Sequence, residues 1–162
     1  MLFPRQAKDL YDKTANFYNR RYKSVQFEKY RRALTDIDLS GKVLDVGSGT
    51  GLLSEFLGKK VISCDISIKM LKQGKSKNVQ ADMAKLPFKS NSFDSVLSFS
   101  ALMNSNNVKE TIAEIYRVMK KEGIFIVSYL KKFNFSEPLE NKFKLEKIID
   151  YGEDICFILS KP

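Results

Sequence analysis

Alternation is the feature that most restricts how this chain can fold: from residue 42 onward, runs of strand type are separated by runs of helix type. KVLDVG reads as a strand, TGLLSEFLGK as a helix, VISCDI as a strand, SIKMLKQGKS as a helix and NVQAD as a strand. A short connection leads to the strand FDSVLSFS, then to the helix VKETIAEIYRVMKK and a fifth strand, GIFIVSYL. This order predicts an α/β sheet, mostly parallel, with helices on both faces. After Leu130, KKFNFSEPLENK leaves little room for a substantial helix, and FKLEKIID and DICFILSK around a YGE turn predict a closing antiparallel hairpin. Ahead of the core, residues 5 to about 34 read as helix, with Leu10, Phe17, Tyr18 and Tyr22 set among charges. In the segment 108–121, Val108, Ile112, Ile115 and Met119 recur at three-to-four spacing, which predicts a helix with that face on the sheet.

The length of 162 residues suits one domain, so we expect a single unit over 1–162, with a helical cap over 1–40 and a core over 41–162. No segment approaches the roughly 20 apolar residues of a membrane span. MLFPRQAKDLYDK has no apolar stretch of signal-peptide length. The expectation is a cytoplasmic protein without membrane insertion. Histidine is absent, which excludes Ser-His and Cys-His pairs, imidazole ligands and a histidine general base. Cys64 and Cys156 lie in apolar runs, and two thiols without histidine do not make an ordinary four-ligand zinc site. We expect buried free thiols and no metal. The net charge is +9, and residues 1–42 hold ten Lys and Arg against five Asp and Glu. That excess makes polyanions such as RNA candidate partners, while solvated basic faces account for it equally well.

The first strand runs into VLDVGSGTG, where Gly47, Gly49 and Gly51 have G-x-G-x-G spacing. A dinucleotide fingerprint wants G-x-G-x-x-G, and Leu52 stands where its third glycine belongs. A phosphate loop needs G-x-x-x-x-G-K-[ST], and neither that spacing nor the lysine is present. Asp45, two residues before the first glycine, opposes pyrophosphate and suits a ligand bearing an ammonium group. Asp65, eighteen residues after Gly47, ends the next strand, where a carboxylate can accept from ribose hydroxyls. Asp82 ends a third strand, where it can accept from an exocyclic amine such as that of adenine.

Three strand-end acids around a glycine turn describe an adenosine that carries an amino acid. At this point the chain resembles the class I S-adenosylmethionine-dependent methyltransferases, from about residue 8 to 160. The blocks that carry the resemblance are VLDVGSGTG, VISCDISIKMLKQ, VQADMAKLPFKSNSFDSVLSFSALMN and EIYRVMKKEGIFIVS, in that order. YDKTANFYNRRY is similar to the aromatic N-terminal cap of the ubiquinone-methyltransferase-like branch, methyltransferase type 11.

The resemblance implies a Rossmann-like sheet and S-adenosylmethionine as cofactor, with S-adenosylhomocysteine as product and no metal. It implies that Gly47 and Gly49, with Ser48 between them, line the methionine portion. Asp65 then binds the ribose, Asp82 and the Met83 amide contact adenine, and Ile66 packs on the adenine face. Phe99 and Ser100 approach the methionine moiety, Tyr11 and Tyr18 are candidate lid residues, and Asp45 orients the loop and the ligand amine through water. Other readings stay open: Asp45 as acceptor for loop amides, Ile66 and Phe99 as core, and the Tyr11 and Tyr18 pair, seven apart, as helix packing.

Methyl transfer needs in-line positioning more than a dedicated base, and no catalytic residue is assigned. SFSALMN stands where many amino-group methyltransferases carry N-P-P-[YF], which argues against that type. Asn104 is either an acceptor contact or a loop cap. The short connection after the fifth strand leaves little to enclose an acceptor. This favours a large acceptor, RNA such as tRNA or a translation protein, or a site completed by a partner, because some relatives of this type need a small zinc-containing activator subunit. The alternatives are a small-molecule acceptor under the cap and a catalytically inactive binding module.

Overall fold

The structure, a computed structural model, describes residues 4–58, 61–75 and 77–162. In chain order its elements are α1 (Pro4–Leu34), β1 (Val43–Val46), α2 (Leu52–Leu57), β2 (Ile62–Asp65), α3 (Ile68–Leu71), β3 (Lys77–Gln80) and β4 (Phe93–Phe99). A 3₁₀ turn (Leu102–Asn104) leads to α4 (Val108–Val118), β5 (Met119–Leu130), α5 (Ser136–Glu140), β6 (Lys144–Asp150) and β7 (Asp154–Ser160).

Among the described residues, seven strands form one sheet in the order β3-β2-β1-β4-β5-β7-β6. The pairs from β3 to β5 are parallel, and β7 runs antiparallel to both β5 and β6. The expected sheet and hairpin are therefore both present. VLDV of β1 is buried along its whole length, as a central parallel strand covered on both faces must be. KLEKIID of β6 sits at the edge and is mostly exposed, and its lysines blunt the unpaired edge.

Two apolar layers sandwich the sheet. One packs Ile112, Ile115 and Val118 of α4 and Leu139 of α5 against Leu44, Val96, Phe125 and Leu159. The other packs Tyr30 and Ala33 of α1 and Leu52 and Leu53 of α2 against Val43, Leu97, Ile126 and Ile158. The α4 helix begins cleanly because the Asn107 side chain accepts the Glu110 amide at 3.1 Å.

Three segments differ from the sequence expectation. The fourth helix stops at Val118, not at 121, and Met119 opens β5 opposite Phe93. Its last carbonyls have other donors: the amides of Asn91 and Ser92 reach Arg117 and Val118, and the Lys161 ammonium reaches Tyr116 and Met119. The helix expected in SIKMLKQGKS is only the single turn of α3, whose Leu71 carbonyl accepts from the Asn78 side chain at 2.7 Å. Finally, β3 ends at Gln80, so Asp82 lies in the turn beyond the strand.

Strand order reverses between β1 and β4, whose onward connections run to opposite sides, to β2 and to β5. In open α/β sheets the crevice outside the carboxyl ends at such a point is where ligands bind. Gly47, Asp65 and Ser100 follow or end β1, β2 and β4 there, and α1 extends over the same edge.

Candidate cofactor site

The glycine turn owes its shape to backbone contacts. The amides of Gly47 and Ser48 both donate to the Cys64 carbonyl, at 2.8 and 3.1 Å, which folds the turn back over β2. Gly47 has φ 71°, and a Cβ there would sit 2.3 Å from the Ala101 Cβ. No side chain fits.

Asp65 holds the turn from the neighbouring strand. One carboxylate oxygen accepts the Gly49 amide at 2.9 Å and the other accepts the Ser67 amide at 2.8 Å. Burial pushes its pKa upward, and these backbone hydrogen bonds act in the opposite direction. The direct side-chain contacts to the turn are thus those of Asp65, not of Asp45. Among the described residues, no donor reaches the Asp45 carboxylate. Desolvation, with the nearby Asp65 charge adding to it, pushes the Asp45 carboxyl up to about 8.

Ten of the twelve residues singled out from the sequence line one cleft: Tyr11, Tyr18, Gly47, Gly49, Asp65, Ile66, Asp82, Met83, Phe99 and Ser100. Asp82 accepts the Ala84 amide at 2.9 Å and remains exposed at the rim. Asp45 and Ser48 line a smaller cavity of about 20 Å³ that shares Tyr18, Gly47, Gly49 and Phe99 with the cleft. That cavity also holds Gln26, which the sequence did not single out. Its Oε1 and the Ser48 Oγ are buried without a hydrogen-bond partner. A cavity of this size admits a single water or one ammonium group.

Cys64 is a buried free thiol as expected, with its pKa raised to about 12 by burial, yet it also lines the cleft. Met70, Ala101, Asn104 and Ser105 join it. Sequence alone offered a signal only for Asn104.

Side-chain contacts close α1 over this region. The Asn104 amide donates to the Tyr11 hydroxyl at 3.1 Å, the Ser67 hydroxyl donates to the Asp12 carboxylate, and the Thr50 hydroxyl donates to the Asn19 side chain. The cleft is about 60 Å³, well below the roughly 300 Å³ or more of a usual small-molecule site. A ligand of adenosine size therefore extends beyond this cleft or displaces side chains that line it.

A second, open cavity of about 700 Å³ adjoins the first through Tyr11, Tyr18, Ser100 and Asn104. One wall is α1, with Leu10, Phe17, Tyr22 and Val25, and the other is Met103, Leu130 and Phe133. Polar groups of this cavity include Gln26, Lys29 and Asp154. Among the described residues no helix is long and apolar enough to cross a membrane.

Residues 44–127 match the methyltransferase domain family. An uncharacterized protein of Methanocaldococcus jannaschii is 36% identical over 146 residues, which is 85% of this chain and 57% of that protein. The demethylmenaquinone methyltransferase of Renibacterium salmoninarum is 36% identical over 130 residues, 74% of this chain and 53% of that enzyme. The chain thus spans about half the length of the curated relatives it matches. A Haloferax volcanii methyltransferase, solved in complex with the Trm112 activator, superposes with a TM-score of 0.80 at 15% identity, covering 94% of this chain and 97% of that one. Domain match, sheet order and glycine turn agree, and the chain belongs to the methyltransferase domain family, with the class I S-adenosylmethionine-dependent fold.

Proposed function

We propose that the chain binds S-adenosylmethionine beneath α1 and transfers its methyl group to a small, ring-bearing acceptor in the adjoining cavity. The observation that carries the cofactor reading is a cavity of about 20 Å³ in which Gln26 Oε1 and Ser48 Oγ are buried without hydrogen-bond partners beside the buried Asp45 carboxyl. Buried acceptors in want of donors match an ammonium group with its three N–H donors. In this reading Gly47 and Gly49 leave room for the methionine chain, Asp65 takes the ribose hydroxyls, and Ile66, Asp82 and the Met83 amide surround adenine. Phe99, Tyr11 and Tyr18 flank the methionine end, where an aromatic face contributes about 0.5–2 kcal/mol toward a cation. The cofactor supplies an activated methyl on a sulfonium, and the protein's part is to align it with the acceptor and exclude water.

For the acceptor, support comes from the cavity walls: Leu10, Phe17, Tyr22 and Val25 face Met103 and Phe133, a surface suited to an apolar ring. The Renibacterium relative, by its name, acts on demethylmenaquinone, and a ring-bearing acceptor is in keeping with that.

A second reading has its own support. Leu10, Phe17 and Val25 are exposed by 47, 61 and 52%, a stripe a partner can cover, and the Haloferax protein was solved with an activator. With the +9 charge, this supports RNA or a translation protein as acceptor and a small activator subunit as partner. Labelled-methyl transfer into fractionated cell extract separates the two. Label in the small-molecule fraction is the result expected, and label confined to RNA or protein transfers the assignment to the second reading.

A further inference from the structure

Ser100 lines both cavities, at the junction where a methyl group would pass from one to the other. Its hydroxyl accepts from the Lys29 ammonium at 3.0 Å, and the same ammonium is paired with the Asp154 carboxylate. The two side chains of that pair are only 14% and 8% exposed, and both line the acceptor cavity. An ammonium carries three donors and a carboxylate two acceptor oxygens. Asp154 Oδ2 and Ser100 Oγ accept two of the donors. The third N–H of Lys29 and Asp154 Oδ1 have no partner among the described residues.

The pair thus offers the cavity one donor and one acceptor side by side, the complement of a hydroxyl group. Anchoring α1 does not require it. The Tyr151 hydroxyl already donates to the Lys29 carbonyl at 2.8 Å, and the Arg32 guanidinium donates to the Asp150 carbonyl at 2.8 Å, tying α1 to the turn between β6 and β7. Burying two charges is costly, and an anchor of apolar residues would serve as well.

We propose that Lys29 and Asp154 form the binding and activating site for a phenolic or enolic hydroxyl of the acceptor, a residue assignment that rests on the cofactor reading above. The acceptor oxygen receives the third N–H of Lys29, and its own O–H donates to Asp154 Oδ1. The proton passes to Asp154 ahead of methyl transfer, most readily from an acidic hydroxyl. The electron pair left on oxygen forms the new bond to the methyl carbon. The carbon–sulfur bond breaks with its pair remaining on sulfur, and Lys29 stabilises the oxyanion while it lasts. Product release returns the proton from Asp154 to solvent.

The test uses para-nitrophenol, whose anion absorbs in the visible, added to the full chain saturated with S-adenosylhomocysteine. Wild type is expected to bind it with the anion band present below the solution pKa of the probe. Lys29→Met is expected to lose about tenfold or more in affinity, together with the band, and Lys29→Arg to retain both. The double variant Lys29→Met, Asp154→Leu removes both charges, so it keeps the test open if the single variant fails to fold, and it is expected to lose the band too. Calorimetry with S-adenosylhomocysteine on each variant reports the cofactor site separately. Failure of wild type to bind the probe or to show its anion band, or unchanged affinity and band in the Lys29→Met and double variants while cofactor binding persists, overturns the assignment. Loss of cofactor binding in wild type instead overturns the reading on which it rests.

Discussion

A Cβ placed on Gly47 would come within 2.3 Å of the Ala101 Cβ, so the first glycine of the turn touches the loop that follows β4. The two halves of the cofactor cleft meet at that contact. Gly47→Ala has to widen it and to adopt a left-handed conformation, costs of about 1–3 kcal/mol and about 1–2 kcal/mol. At about 2–4 °C per kcal/mol, the combined loss of about 2–5 kcal/mol lowers Tm by about 4–20 °C. Thermal unfolding by circular dichroism checks this, with calorimetry expected to find cofactor binding lost. A variant with wild-type Tm and affinity contradicts the close packing of turn and loop.

Asp45 gives the protein a pH dependence of definite sign. Its folded pKa, about 8, lies above the unfolded value, so between about pH 4 and 8 the native state binds the extra proton and stability falls as pH rises. The slope is at most about 1.4 kcal/mol per pH unit for one such group. Urea unfolding over that range is expected to show the decline, and Asp45→Asn to flatten it. A cation bound beside Asp45 favours the ionised carboxylate, so cofactor binding below about pH 8 releases a proton and tightens as pH rises. Calorimetry in buffers of different ionisation enthalpy reads that proton directly, and no release from wild type would remove Asp45 from the ammonium site.

Asp65 carries two duties that substitutions can separate. Asp65→Ala leaves the Gly49 and Ser67 amides without their acceptor, a loss of about 1–3 kcal/mol for each amide left buried and unpaired. Asp65→Asn keeps one acceptor oxygen and is expected to retain more stability while still binding cofactor more weakly. Wild-type affinity in the Asn variant would cancel the ribose assignment while leaving the loop role in place.

The links that hold α1 down govern access. Tyr11→Phe removes the acceptor for the Asn104 amide, worth about 0.5–1.5 kcal/mol net. Stopped-flow measurements with S-adenosylhomocysteine are expected to show faster association and dissociation, with association gaining as the cleft opens more often. Unchanged rates would mean that a different element limits entry.

Much of this architecture was legible because strand and helix periods alternate: β1, β2, β4 and the antiparallel hairpin of β6 and β7 stand where their residues predicted. Boundaries were less so. VMKK reads as helix by its local pattern, but Met119 is drawn into β5 by pairing with Phe93, a partner remote in sequence. In the site, glycines and strand-end acids are local signals, and ten of the twelve residues they led to line the same cleft. Division of labour between Asp45 and Asp65 was not legible, since it depends on which carboxylate reaches the Gly49 amide. Gln26, Lys29 and Asp154 were passed over because nothing local marks them. Lys29 and Asp154 lie 125 residues apart and meet only after β7 is in place beside β5.

In the proposed site, the cleft beneath α1 takes S-adenosylmethionine with its ammonium beside Asp45. Isothermal titration of the full chain with S-adenosylmethionine, repeated on Asp45→Asn and Asp65→Ala, tests it most directly. Wild type is expected to bind one-to-one, both variants to bind more weakly, and Asp45→Asn to lose the pH dependence of affinity. No binding by wild type, or equal affinity in all three proteins, would contradict it.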